Sequence, residues 1–131
     1  MIYFDETFLR LSWDEGTNIV CAEWKNAVGG EPMRRGLQAG LDLVRQKKSR
    51  KWLVDSRRLG SIEPGDVKWV NDMWMPNAVA AGLSWMAFVM AQKVVMQLTM
   101  KSFMARINER ELSTSYFDDL DKATEWLRAQ S

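Results

Sequence analysis

Hydrophobic and polar positions alternate strictly near the start of the chain: Leu9, Leu11 and Trp13 are separated by Arg10 and Ser12. A turn signal, Asp14-Glu15-Gly16, is followed by a second alternating run that ends at Trp24, so the two runs read as a β-hairpin. Gly29-Gly30 closes this region, and from Glu31 to about Lys48 the period changes. Met33, Leu37, Gly40 and Val44 recur at steps of four, three and four, which is the spacing of one helix face. Pro32 suits a first helical turn. Gly36 and Gly40, one turn apart, leave room for that helix to approach a sheet closely, against a helix-propensity cost of up to ~1 kcal/mol each.

Trp52-Leu53-Val54 is an apolar run ending at Asp55, the pattern of a strand buried on both faces. A loop through Ser56, Arg57, Arg58, Leu59, Gly60 and Ser61 leads to a helix starting at Pro64, with Val67, Val70, Trp74, Ala78 and Ala81 along one face. Pro76 kinks or divides this helix, because it lacks the amide donor that the preceding turn needs. Gly82 is its expected stop. Trp85 to Met90 is apolar at every position and is expected in the centre of a sheet. Lys93 to Ile107 has helical spacing, and Leu112 to Phe117 supplies a last strand. Asp118 or Asp119 caps a terminal helix that buries Leu120, Ala123 and Leu127. The order β-β-α-β-α-β-α-β-α implies an α/β fold in a single domain over residues 1–131. The expected architecture is a mixed sheet of about five strands with about four helices packed on it.

Composition narrows the chemistry. The 131 residues contain seven Trp and nine Met but no His, and Cys21 is the single cysteine. A chain without His lacks the commonest general base and metal ligand, and one thiol can form neither an internal disulfide nor a multi-thiolate site. Neither a catalytic residue, a metal site nor a cofactor is expected. Cys21 lies in the apolar alternation of Ile19 to Trp24, where a small buried hydrophobe is expected rather than a reactive thiol. The first residues, Met1-Ile2-Tyr3-Phe4-Asp5-Glu6, carry acids where a secretory signal needs bases, and no stretch approaches the ~20 apolar residues of a membrane span. A cytoplasmic location is the expectation.

Three constellations remain as candidates. The first is the basic run Arg45, Lys47, Lys48, Arg50, Lys51, Arg57 and Arg58, broken by one acid, Asp55. Its first members sit at a helix C-terminus, where cations favour the macrodipole. With a net charge of only +1, nucleic-acid binding is not expected. The second is an apolar surplus on two successive helices: Trp69 and Met73 fall away from the Val67-Val70-Trp74 face, and Val95 and Leu98 fall opposite the stripe of Met96, Met100, Phe103 and Ile107. Such a surplus suits self-association, a partner protein or an apolar ligand. The third is the strand-to-helix loop with Asp55, Ser56, Arg57, Arg58, Ser61 and Asp66, placed where open α/β sheets bind ligands, with two arginines able to pair with an anion.

Taken together, several segments resemble the STAS superfamily, in its SpoIIAA-like (anti-sigma-factor-antagonist-like) branch, a branch also described as related to CRAL-TRIO lipid-carrier domains. They are Ala22-Glu23-Trp24, the stretch Trp52 to Gly60, Ala81-Gly82 before the apolar strand, and the closing Phe117, Leu120, Ala123, Trp126 and Leu127. The resemblance implies a non-enzymatic regulatory or binding module. Phosphorylatable members carry a Ser at the start of the helix after this loop; here that helix begins Ile62-Glu63-Pro64-Gly65-Asp66, with Ser61 nearby. Two functions follow as expectations. One is an interaction module working through Trp69, Met73, Val95 and Leu98 by homodimerisation or partner binding. The other is a carrier of a small apolar ligand or lipid, with Arg57 and Arg58 at the headgroup and transient peripheral membrane contact.

Overall fold

A computed structural model describes residues 1–60, 62–91 and 112–130 of the chain. Among them the expected hairpin forms from β2 (Leu9–Asp14) and β3 (Ile19–Trp24), in register from Leu9 opposite Trp24 to Asp14 opposite Ile19. A further strand, β1 (Ile2–Asp5), precedes it and pairs antiparallel with β2. Three consecutive apolar residues, Ile2-Tyr3-Phe4, carry no alternation to announce this strand, and its register with β2 shifts between Ile2 and Phe4.

Helix α1 (Gly30–Lys47) lies on one face of the sheet and buries Met33, Leu37, Gly40 and Val44, the stripe expected from the spacing. Both glycines are contact points: a Cβ on Gly36 would run into Leu9, and one on Gly40 into the indole of Trp52. The helix thus seats its backbone directly on β2 and β4. It ends at Lys48 in the left-handed conformation, φ 51°.

Strands β4 (Lys51–Asp55), β5 (Trp85–Val89) and β6 (Ser113–Phe117) continue the sheet in parallel, with Ala22, Val54, Phe88 and Tyr116 side by side across it. The sheet order is β1-β2-β3-β4-β5-β6. The wholly apolar strand, β5, therefore lies between β4 and β6, not in the sheet centre, and its Trp85 and Phe88 are only half-buried.

Between β4 and β5 the chain forms α2 (Pro64–Trp69), a π-helical turn (Val70–Trp74) and α3 (Met75–Ala80). The interruption expected from Pro76 takes this form because Pro76 cannot donate to the carbonyl of Asp72 and its ring crowds that group, so the preceding turn widens. A π turn shifts the helical phase, so that the residue five positions before Trp74, Trp69, packs against the core beside Val70, four positions before it. Val67 consequently faces solvent, against the expectation, while Asp66 is buried and Trp69 is drawn against the α1 core. Gly82 ends the element at φ +107°, a value that favours glycine.

The opposite face of the sheet is covered by α4 (Leu120–Arg128), whose Ala123 and Leu127 pack on Ile19, Leu53, Ala87 and Val89. Asp119 is the N-cap, accepting from the Asp121 amide at 2.8 Å. Leu120, expected inside, is 39% exposed; it is the first residue of the helix, ahead of the Ala123 and Leu127 positions that meet the sheet. The described residues thus build an α/β domain with a mixed sheet between helical layers. The helical pattern at Lys93–Ile107, with Val95 and Leu98, and also Ser61, lie outside the described residues.

Candidate functional site

The α1 side of the sheet holds a cavity of about 530 Å³ at the C-terminal ends of β3, β4 and β5. Its back wall is the sheet itself, with Trp24, Trp52, Val54, Met86 and Phe88. Met33 and Leu37 of α1 form one side, and Val70, Trp74 and Met75 the other. Ser56, Arg57, Leu59, Gly60 and Ile62 form the rim with Met90 and Ala91. A volume of this order suits a drug-sized ligand, and it opens outside the carboxyl ends of the parallel strands, where open α/β sheets bind ligands.

Two contacts hold the wall rigid. The Trp74 indole Nε1 donates to the Leu37 carbonyl of α1 at 2.8 Å, and the rings of Trp52 and Trp74 meet edge to face at 5.1 Å. The π turn brings this about, since it lets Val70, Trp74 and Met75 all reach the cavity from one short segment.

The loop after β4 is tied down more tightly than its sequence suggests. Asp55 is buried, and Arg57 closes on it with two parallel bonds, Nε to Oδ1 at 3.0 Å and Nη2 to Oδ2 at 2.7 Å, while the Arg57 amide also donates to Oδ1. Burial alone would raise the Asp55 carboxyl; the bonds from Arg57 outweigh it and hold that carboxyl below the usual carboxylate range. Ser56 is bound to β5, its amide and its hydroxyl both donating to the Val89 carbonyl. Arg57 is therefore engaged and is not the free anion partner expected. Arg58 remains exposed to solvent. Beyond Arg57 lies a polar depression of about 510 Å³ lined by Asp118, Asp119, Asp121 and Lys122, so the surroundings of this arginine are acidic.

Asp66 has left the loop altogether. It sits under the N-terminus of α1, where Gly29 offers no capping side chain; its carboxylate accepts from the Gly30 amide at 3.0 Å and pairs with Arg34 at 3.6 Å. One carboxylate from a distant helix thus supplies the cap that α1 lacks in sequence. The apolar surface expected at Trp69, Met73, Val95 and Leu98 is only partly met among the described residues. Trp69 lies under the Arg34 guanidinium, 5.3 Å from its ring centre, whereas Met73 is 54% exposed.

The basic run is divided by β4: Arg45 to Lys51 lie at one end of that strand and Arg57 and Arg58 at the other, roughly 13 Å away. Most members have partners of their own. Arg45 pairs with Asp42, Lys47 lies 4.4 Å over Trp13, and Arg50 lies 5.1 Å over Trp85. Cys21 is half-buried rather than fully buried; desolvation, reinforced by the charges of Glu23 and Asp55, still pushes its thiol up to about 11, away from a reactive thiolate. Among the described residues no three His, Cys, Asp or Glu side chains are grouped to hold a metal ion.

Sequence reasoning missed the cavity. Its walls come from six elements, and each contributing side chain reads as ordinary core in its own segment. The signals were the abundance of Trp and Met and the loop after β4, whose Ser56 and Arg57 stand on the rim.

An α/β domain with an apolar pocket and no assembled nucleophile and base among the described residues has the form of a binding module. A model of the SpoIIAA-like family matches residues 19–128, and the chain belongs to that family, within the STAS superfamily. SpoIIAA-like domains are typically regulatory binding modules. No curated protein and no solved structure matches the chain. Among the described residues no helix is long and apolar enough to cross a membrane.

Proposed function

We propose that this protein is a single-domain, cytoplasmic, non-enzymatic regulatory module that works by holding a small apolar molecule between the sheet and its α1–α3 layer. The observation that carries the reading is the cavity of about 530 Å³, walled by indole, thioether and aliphatic side chains. Burying apolar surface there supplies affinity at about 25 cal/mol per Å², and the ordered walls lower the entropy lost on binding. The test is native mass spectrometry of protein purified from the cells that make it, beside an Ala91→Trp variant that puts an indole at the exposed rim. Wild type carrying a discrete added mass, absent from the variant, is the expected result. The bare polypeptide mass in repeated preparations, with no uptake of added apolar compounds, counts against the reading.

A second reading, homodimerisation, is supported by a separate observation: Ile62, Val67 and Met73 on and beside α2 leave apolar side chains 37–54% exposed. Light scattering on wild type and Met73→Asp decides it. A monomer at high micromolar concentration, unchanged by the substitution, removes the dimer.

A further inference from the structure

We infer that the cavity selects an uncharged, ring-bearing molecule, aromatic or polycyclic, over an ionised amphiphile or a plain alkyl chain. This rests on the reading above, that the cavity takes a small apolar ligand, and adds the ligand's chemical class.

The first observation is the character of the wall. Trp24, Trp52, Trp74 and Phe88 bring four aromatic systems to one cavity, and Met75 and Met86 add thioethers beside them. An alkyl chain gains only buried area from such a wall. An aromatic ligand gains in addition the edge-to-face and sulfur–ring contacts that favour aromatic partners beyond their area. The rings are also preset: the bond from Trp74 to the Leu37 carbonyl and the edge-on Trp52 leave little rotamer freedom to be lost on binding.

The second observation is charge. Arg57 is the one ionisable side chain among the described lining residues, and its Nε and Nη2 already bond Asp55. A ligand carboxylate reaching the remaining Nη donors would meet a guanidinium whose charge the buried Asp55 carboxylate already neutralises, and drawing Arg57 away from Asp55 would strip that carboxylate of its cation. The depression beyond Arg57, with Asp118, Asp119 and Asp121, opposes a second anion there as well. The rim hydroxyl of Ser56 already donates to Val89. An uncharged ligand meets none of these costs.

Calorimetric titration of the full chain with three probes tests the inference: N-phenyl-1-naphthylamine, which is neutral and aromatic; 1-dodecanol, neutral and alkyl; and laurate, an anion of the same chain length. The expected result is a Kd for the aromatic probe about tenfold below that for dodecanol, with laurate weakest. Met75→Leu, which conserves volume, should weaken the aromatic probe about two- to tenfold more than it weakens dodecanol. Dodecanol binding as tightly as the aromatic probe overturns the ring preference. Laurate binding tightest, with an affinity that falls as salt rises, assigns Arg57 to an anionic headgroup and overturns the inference while leaving the cavity reading intact. If none of the three binds, the cavity reading falls and takes this inference with it.

Discussion

Replacing Gly40 by alanine isolates the contact on which the α1 layer rests. In an open helix position this change stabilises by up to about 1 kcal/mol through propensity. Here the new methyl would meet two atoms of the Trp52 six-membered ring, and that ring is held from the other side by Trp74, itself bonded to α1. The indole can yield only toward the cavity it lines, and only by giving up its edge contact with Trp74. Overpacking of this kind costs about 1–3 kcal/mol, and we take the upper end because the obstacle is a braced ring rather than a flexible chain end. Subtracting the propensity gain leaves a net loss of about 2 kcal/mol. Urea unfolding followed by tryptophan fluorescence reads it as a midpoint about 1 M lower, for a slope near 2 kcal/mol per M. Gly65→Ala is the internal control: it lies in α2 with nothing within 4 Å of the added methyl, and should gain roughly 0.4–1 kcal/mol. Trp52→Phe combined with Gly40→Ala should lose less than the two changes separately. A Gly40→Ala midpoint equal to wild type or higher refutes the close-approach argument.

Three further outcomes follow. Asp66→Ala removes the group capping α1 and should cost about 1–3 kcal/mol in urea unfolding, with Asp66→Asn, which keeps an acceptor for Gly30, costing less. Because the folded-state pKa of Asp55 is depressed, its pairing with Arg57 adds stability that is present above the unfolded carboxylate value and is lost as pH falls through the lower folded value. Wild type should therefore exceed Arg57→Ala in stability at pH 7, with the difference closing in acid; a difference that persists unchanged below the carboxylate range contradicts the pairing. Cys21, with its thiol at about 11, should react with a disulfide reagent at pH 8 about two orders of magnitude more slowly than free cysteine, measured by thiol release.

Elements with clean periodicity could be read from residue spacing alone. The Leu9-Leu11-Trp13 alternation, the Met33-to-Val44 stripe and the two glycines facing the sheet all led to the observed contacts, because each depends on a period that local geometry imposes. Strand β1 escaped because an unbroken Ile2-Tyr3-Phe4 has no period to detect. One position of the expected helix face, Val67, was misjudged for a related reason: Pro76 announces a disruption, but the spacing does not say that the helix answers by widening one turn. Polar roles were the least legible. Asp66 caps a helix thirty-six residues earlier, and Arg57 folds back on Asp55 two residues away. Neither partner choice is a property of the local string. The cavity was invisible for the same reason, since hydrophobic pattern marks which side chains turn inward and says nothing about whether they fill the space they enclose.

The central claim is that the space between Trp52, Trp74 and Phe88 is a binding site, and ligand-dependent stability tests it most directly. Wild type and Ala91→Trp would be unfolded in urea with and without N-phenyl-1-naphthylamine at about one hundred times its Kd for wild type. Linkage then predicts about 2.7 kcal/mol of added stability for wild type and little for the blocked variant. Equal stabilisation of both proteins, or of neither, contradicts the claim that this cavity is where the protein binds.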